Sequence, residues 1–157
     1  MRAEPSAPRV EPVRKSVVVA RPVAEAFVIF TERMGEWWPF AGHSVYGDDG
    51  TAVVFDPREG GAVTEVSRSG ERAAWGQLLV WDPPRRFVMT WHPGRGAETA
   101  QQLEVDFKMV PEGTRVELVH QGWETLLARG VEARNGYDGG WNAVLAGYAA
   151  ACAGGAR

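Results

Sequence analysis

A strict alternation of apolar and polar residues late in the chain constrains the fold most. In residues 101–110, single polar residues separate the four apolar residues Leu103, Val105, Phe107 and Met109. This period of two predicts a β-strand with one buried face and one solvated face. A sheet of this kind must cover its apolar face with another layer of structure.

Helical spacing near the C-terminus predicts that second layer. Five large residues form one stripe on a helix of 3.6 residues per turn, namely Tyr137, Trp141, Val144, Leu145 and Tyr148. The other positions are mostly alanine and glycine, which lets the helix approach a neighbouring surface closely. We predict this helix over about 138–152, after an irregular or partly helical stretch at 122–135.

Shorter elements fill the rest of the chain. A β-branched stretch at 13–19 predicts a first strand, Pro22 starts a helix that Gly35 ends, and a short turn follows at 36–39. Further strands are predicted at 52–55, 62–67, 73–81, 86–92 and 115–121. This order favours an α+β architecture, in which a curved antiparallel sheet of about six to seven strands wraps round the long C-terminal helix.

The length matches a single domain, since about 150 residues is a rough prior for one. We expect this domain to span 13–152, after a loose tail at 1–12 and before a frayed end at 153–157. The single cysteine, Cys152, excludes an internal disulfide and a cysteine-based zinc site.

Charge and hydropathy exclude several classes of protein. The formal net charge of −3 argues against a general nucleic-acid binder. No apolar run reaches the roughly 18 residues that a membrane span needs. We therefore expect a cytoplasmic protein that does not bind nucleic acid and does not span a membrane.

The tryptophan content points to a cavity. Seven tryptophans are more than a core of this size requires. A tryptophan has a flat apolar face and one N–H donor, so it suits both packing and the lining of a small-molecule site. A curved sheet around one helix often leaves such a space between them, and we expect the function there.

Several motifs together carry a resemblance to a known superfamily. They include Trp37-Trp38-Pro39, His43-Ser44-Val45, Pro57-Arg58, Glu65, Trp81-Asp82-Pro83-Pro84, Gly122-Trp123 and Gly140-Trp141. The chain resembles the helix-grip (SRPBCC) superfamily of lipid transfer domains, polyketide cyclases and birch-pollen allergens. Within it, the chain is similar to the C-terminal domain of the heat-shock-protein-90 ATPase activator. This resemblance covers about 13–150 and implies a helix-grip fold.

Common catalytic and metal-binding motifs are missing from the sequence. Ser44 lies beside His43, but adjacent residues rarely face one substrate, and no glycine-flanked serine elbow is present. The histidines at 43, 92 and 120 have no close spacing typical of a metal site. We expect no metal and no cofactor.

Four polar residues are candidates for proton transfer. In the fold that the chain resembles, the positions of His43, Arg58, Glu65 and His120 can gather at one mouth of the cavity. Burial would favour the neutral form of an imidazole or carboxyl group there. The alternative is structural: Arg58 and Glu65 would hold each other or a turn, and a backbone carbonyl would satisfy His120.

Large apolar residues are candidates for ligand binding, although some of them must form the core instead. Period-two counting places His120 inward at the end of a buried row, and His120 or Tyr148 would orient the ligand. The predicted ligand-binding residues are Trp38, Trp75, Met89, Trp91, Phe107, His120, Trp123, Trp141 and Tyr148.

Three functional hypotheses follow. The favoured one is a domain that binds a small hydrophobic molecule. The second is an acid–base enzyme of the cyclase or hydro-lyase type, with His120 and Glu65 as proton carriers. The third is an interaction module acting on a chaperone. A homodimer is a further expectation, because in the predicted strand at 73–81 Trp75, Gln77, Leu79 and Trp81 share one side and both sides are rather apolar.

Overall fold

The computed structural model describes residues 10–154. Residues 1–9 of the predicted loose tail at 1–12, and residues 155–157 of the predicted frayed end at 153–157, lie outside the described residues. Residues 10–12 contact the rest of the domain. The backbone N–H of Val10 donates to Glu124 Oε2 at 3.3 Å, and the Arg134 guanidinium donates to the carbonyls of Glu11 and Pro12 at 3.1 and 3.3 Å.

Seven strands form one curled antiparallel sheet, which confirms the predicted α+β class. Their order across the sheet is β1-β7-β6-β5-β4-β3-β2, so every neighbouring pair except β1 and β7 is consecutive in the chain. The strands are β1 (Val13–Val19), β2 (Gly50–Phe55), β3 (Ala62–Ser67), β4 (Arg72–Asp82), β5 (Arg86–Trp91), β6 (Gln101–Val110) and β7 (Gly113–Gln121).

Three helices cover the concave face of the sheet. They are α1 (Val23–Thr31), the short α2 (Met34–Trp37) and the long α3 (Gly130–Gly154). Helix α3 packs against β1 and α1. Its predicted apolar stripe is buried at Trp141, Val144, Leu145 and Tyr148, which join one continuous hydrophobic core.

The start of α3 differs from the sequence prediction. The helix begins at Gly130, eight residues before the predicted start at 138, and a 3₁₀ helix at Trp123–Arg129 precedes it. The 3₁₀ segment is itself kinked at Leu127, whose backbone is non-helical at φ 55° and ψ −126°. Glycine has low helix propensity, and Gly136, Gly139 and Gly140 lie in the first half of this helix. The sequence pattern therefore does not predict that the helix begins as early as Gly130.

A bulge in β4 overturns the predicted assignment of its faces. The β3–β4 register shifts opposite Trp75, between Ala74 and Gly76, and the β4–β5 register shifts between Leu78 and Val80. Trp75 and Leu78 are both buried although an odd spacing separates them. Trp81 packs on Phe27 of α1, with ring centroids 5.2 Å apart, while Leu79 is 42% exposed. Leu79 therefore does not share a side with Trp75 and Trp81, because an extra residue breaks the alternation.

Within residues 10–154, no helix combines the length and the apolar character needed to cross a bilayer.

Candidate ligand-binding cleft

A cleft of about 660 Å³ opens at one end of the domain. Three segments enclose it: the loop at 42–45 after α2, the loop at 93–94 after β5, and the first half of α3. This volume lies within the range of known small-molecule sites.

Three indole rings form the apolar wall of the cleft. The ring centroids of Trp38, Trp91 and Trp141 lie 5.2 to 6.3 Å from one another. Each N–H is already used: Trp38 donates to the His43 carbonyl at 3.0 Å, Trp91 to Tyr137 Oη at 3.1 Å, and Trp141 to His120 Nδ1 at 3.0 Å. The rings are only 2–6% exposed, so the surface that they leave for a ligand is small and apolar.

Two glycines open the helical wall. Gly136 and Gly140 lie one helical turn apart on α3, and both line the cleft. A Cβ built on Gly140 would lie 3.6 Å from the His43 ring, whereas a Cβ on Gly136 would meet no heavy atom of residues 10–154 within 4 Å. The empty space beside Gly136 is part of the cleft.

Tyr137 supplies a hydrogen-bond donor at the cleft. Its Oη accepts the indole N–H of Trp91, and no acceptor among residues 10–154 takes its own proton. A phenol both donates and accepts, so a ligand oxygen could accept the Tyr137 proton.

His43 and Ser44 are the other polar side chains of the lining. His43 Nδ1 lies 3.2 Å from the Ala41 carbonyl and donates to it, which leaves Nε2 free to contact a ligand. The Ser44 hydroxyl is held by the loop, because it donates to the Phe40 carbonyl at 2.8 Å and accepts the Gly47 N–H at 3.0 Å.

His120 is fully buried behind Trp141 and does not line the cleft. Its Nδ1 accepts the Trp141 indole N–H, so its proton is on Nε2, which faces Gln101 Oε1 at 3.4 Å. Burial, and secondarily the positive charge of Arg95, lower the pKa of His120 to about 3. The imidazole is therefore a neutral structural group, satisfied by two side chains rather than by the carbonyl expected from the sequence.

Glu65, on β3, anchors the loop at 42–45 through hydrogen bonds. Its buried carboxylate accepts the backbone N–H groups of Val45 at 2.8 Å and Tyr46 at 3.0 Å, and the Trp75 indole N–H at 2.9 Å. These three donors fix the segment that carries His43. Glu65 accordingly positions the cleft wall and does not face the cleft.

The four predicted proton-transfer residues do not form one constellation. Only His43 lines the cleft. Arg58 is 68% exposed at the β2–β3 turn, where it pairs with Asp56 at 2.9 Å rather than with Glu65. Glu65 and His120 are each enclosed by their own hydrogen-bond partners.

The predicted ligand-binding residues divide into two groups. Trp38, Trp91 and Trp141 line the cleft. All nine are buried, but the other six do not line the cleft: Trp75, Met89, Phe107, His120, Trp123 and Tyr148. The space between sheet and helix is therefore largely filled by side chains, and the open volume lies at one end of it.

Sequence reasoning missed most of the polar and backbone parts of the lining. The sequence pattern places Tyr137 on the core stripe and Gly140 in a family motif, and it predicts a ligand-binding role for neither of them nor for Gly136. A signal for them existed, because glycines spaced by four residues beside Tyr137 and Trp141 share a helix face. The remaining lining residues not predicted as ligand-binding are Gly42, His43 (a predicted proton-transfer candidate), Ser44, Val45, Pro93, Gly94, Ala133 and Val144.

Comparison with solved structures supports the fold. The solution structure of the Aha1 dimer from Colwellia psychrerythraea has a TM-score of 0.65 at 10% identity, over 94% of this chain and 100% of that one. Protein MLL2253 from Mesorhizobium loti has a TM-score of 0.65 at 14% identity, over 88% and 94% of the two chains. None of the curated proteins matches this chain.

One solved structure is more similar in sequence. The anthrahydroquino-gamma-pyrone synthase Txn09 is 33% identical, with a TM-score of 0.58, over 90% of this chain and 96% of that one. The family model for Activator of Hsp90 ATPase homolog 1-like protein matches residues 20–152. The chain therefore belongs to the family of Activator of Hsp90 ATPase homolog 1-like proteins, within the helix-grip superfamily.

Proposed function

We propose that the protein binds a small, planar, mainly apolar molecule in the cleft at 42–45, 93–94 and α3. The observation that carries this proposal is the wall of Trp38, Trp91 and Trp141, whose N–H groups are all satisfied inside the protein. Flat aromatic surfaces of this kind stack on planar ligands and gain free energy from buried apolar area, roughly 25 cal/mol per Å².

The polar groups of the lining favour a ligand that carries oxygen. The Tyr137 hydroxyl proton and His43 Nε2 are the groups free to contact it. A carbonyl or phenol oxygen on the ring system would accept the Tyr137 proton. Similarity to a synthase whose name describes an aromatic polycyclic product supports a polycyclic ligand of this kind.

Filling the cleft tests this proposal. Gly136→Leu places a side chain in the empty space, while the matched control Gly139→Leu adds the same side chain where a Cβ meets nothing and no cleft is lined. Both variants should gain helix stability, by about 0.5–1 kcal/mol. Calorimetric titration with 1,8-dihydroxyanthraquinone should show affinity reduced at least about tenfold in Gly136→Leu and unchanged in Gly139→Leu.

Two results would contradict the proposal. One is equal affinity in Gly136→Leu and the wild-type protein, which would place the ligand elsewhere. The other is no binding of planar aromatic molecules to the wild-type protein at all.

An enzyme of the cyclase type is the second candidate, favoured by 33% identity to the synthase. His120 and Glu65, the predicted proton carriers, are enclosed, so His43 takes that role in this proposal, with Tyr137 as the hydrogen-bond donor. Turnover of an anthrahydroquinone should be lost in His43→Gln and retained in His92→Gln, whose ring lies outside the cleft lining. Equal turnover in both variants would remove His43 from the mechanism.

Three other expectations stay predictions. The family description names an activator of a chaperone ATPase, and a structural neighbour is a dimer. A change in chaperone ATPase rate on addition of the protein tests the first role, and light scattering tests the homodimer. The cytoplasmic location also stays a prediction.

A further inference from the structure

A second cavity adjoins the cleft. It has a volume of about 390 Å³ and is lined by Arg95, Leu126, Arg129, Glu132, Ala133 and Tyr137. Ala133 and Tyr137 line both cavities, and Gly94 of the cleft precedes Arg95 in the chain. One ligand could therefore contact both spaces across Tyr137.

The two arginines of this cavity carry charge that no acid neutralises directly. Among residues 10–154, neither Arg95 nor Arg129 lies within 4.0 Å of a carboxylate oxygen. The guanidinium of Arg95 is oriented by neutral acceptors, the Thr99 carbonyl at 3.3 Å and Gln101 Oε1 at 3.2 Å. Arg95 is thus held in place while its remaining N–H donors stay free for a ligand.

The net charge of the side chains that line the cavity limits which anions it can bind. Glu132 also lines it, so two positive charges face one negative charge. A net charge of about +1 suits a singly charged anion better than a phosphate dianion. Arginine presents its N–H groups in a planar fork that matches a carboxylate.

We propose that this cavity is an anion subsite of the cleft, which binds the carboxylate of an aromatic acid whose planar ring system lies against the three indoles. The inference rests on the proposed function and specifies its ligand as an acid. Tyr137 would contact the ligand where the ring system meets the carboxylate.

A pair of nearly isosteric probes, one an anion and the other neutral, tests the subsite. Anthraquinone-2-carboxylate and anthraquinone-2-carboxamide are titrated calorimetrically into the full chain at low salt. The wild-type protein should bind the carboxylate about tenfold more tightly, the range expected for one charge-assisted contact. Added salt should reduce this preference and leave carboxamide binding unchanged.

Variants of the charged residues in the second cavity show which side chains cause the preference for the carboxylate probe. Arg129 is exposed and makes no hydrogen bond within residues 10–154, so Arg129→Gln should keep the fold while it lowers the preference for the carboxylate. Arg95→Gln should do the same, and Glu132→Gln should raise carboxylate affinity. Arg115→Gln, at an exposed position on β7 outside both cavities, is the matched control and should change neither affinity.

The outcomes separate this inference from the proposed function. Equal affinity for both probes in the wild-type protein, with Gly136→Leu weakening both, would overturn the anion subsite and support the cleft. A preference that persists in Arg95→Gln and in Arg129→Gln would also overturn the subsite. Failure of both probes to bind the wild-type protein would overturn the subsite alone if 1,8-dihydroxyanthraquinone still binds, and the subsite and the proposed function together if it does not.

Discussion

The indole N–H of Trp141 donates to Nδ1 of His120 at 3.0 Å, and both side chains are buried. This bond joins the cleft wall on α3 to the inner face of β7. It fixes the plane of the Trp141 ring, and it also fixes which imidazole nitrogen carries the proton. His120 thereby contributes to the shape of the cleft without contacting it.

His120 should stay neutral, with its proton on Nε2, between pH 8 and pH 5. Its folded pKa of about 3 lies below the value near 6.5 of an exposed histidine. The unfolded chain therefore takes up a proton first, and this residue should lower folding stability as the pH falls below about 6.5. Imidazole nitrogen chemical shifts measured by NMR across this range check the prediction. A midpoint near pH 6 for His120 would contradict the geometry described.

Glu65→Gln should destabilise the protein and loosen the cleft loop. The amide offers one acceptor oxygen, so an NH₂ group would face one of the three N–H groups that the carboxylate now accepts. Leaving buried donors unsatisfied costs about 2–3 kcal/mol. Urea unfolding measures the loss, and amide hydrogen exchange at Val45 and Tyr46 measures the loosening.

The exposed Glu59→Gln on the neighbouring turn is the control for this substitution and should change neither quantity. If Glu65→Gln unfolds at the wild-type urea concentration with unchanged exchange, Glu65 does not hold the loop.

Asp106 on β6 should make folding stability depend on pH. Burial, followed by the neighbouring Glu104 carboxylate, raises the pKa of Asp106 to about 6, although Arg86 lies 3.6 Å away. The folded state binds the proton more tightly than the unfolded chain, whose aspartate pKa is about 3.9. The stabilising contribution is therefore full below about pH 4 and is lost as the pH rises through 6.

Asp106→Asn should remove this dependence. The free energy of unfolding of the wild-type protein minus that of the variant should decrease as the pH rises from 4.5 to 7.5. We expect a decrease of about 1 kcal/mol, a small value because the carboxyl group is partly solvated. Urea titrations at several pH values measure the difference. A difference that rises with pH would mean that Arg86 dominates the environment of Asp106.

The fold could be predicted where hydrophobic periodicity is uninterrupted. The strands at 62–67 and 101–110 begin and end at the predicted residues. Prediction was wrong where another effect dominates. The bulge in β4 shifts the alternation at Leu79, and the glycine-rich turns around Gly136 are helical although their propensity is low.

The site could be predicted only in part. The composition indicated an indole-lined cavity, and Trp38, Trp91 and Trp141 line the cleft. A period of two shows that a side chain faces inward, but it does not show how far along the sheet the core remains filled. Trp75 and Trp123 therefore could not be separated from the lining tryptophans. His43 and Gly140 line the same cleft although a loop carries one and a distant helix carries the other, and no local pattern encodes that juxtaposition.

The most direct test of the proposed cleft is the response of the seven indole N–H signals to a planar ligand. Two-dimensional ¹H–¹⁵N spectra would be recorded during titration with 1,8-dihydroxyanthraquinone, with each indole assigned by its own tryptophan-to-phenylalanine variant. The signals of Trp38, Trp91 and Trp141 should shift most, and that of Trp81, which packs between Phe27 and Phe55, should stay unchanged. Unchanged signals for the three cleft indoles at saturating ligand, or a largest shift at Trp81, would contradict the proposed site.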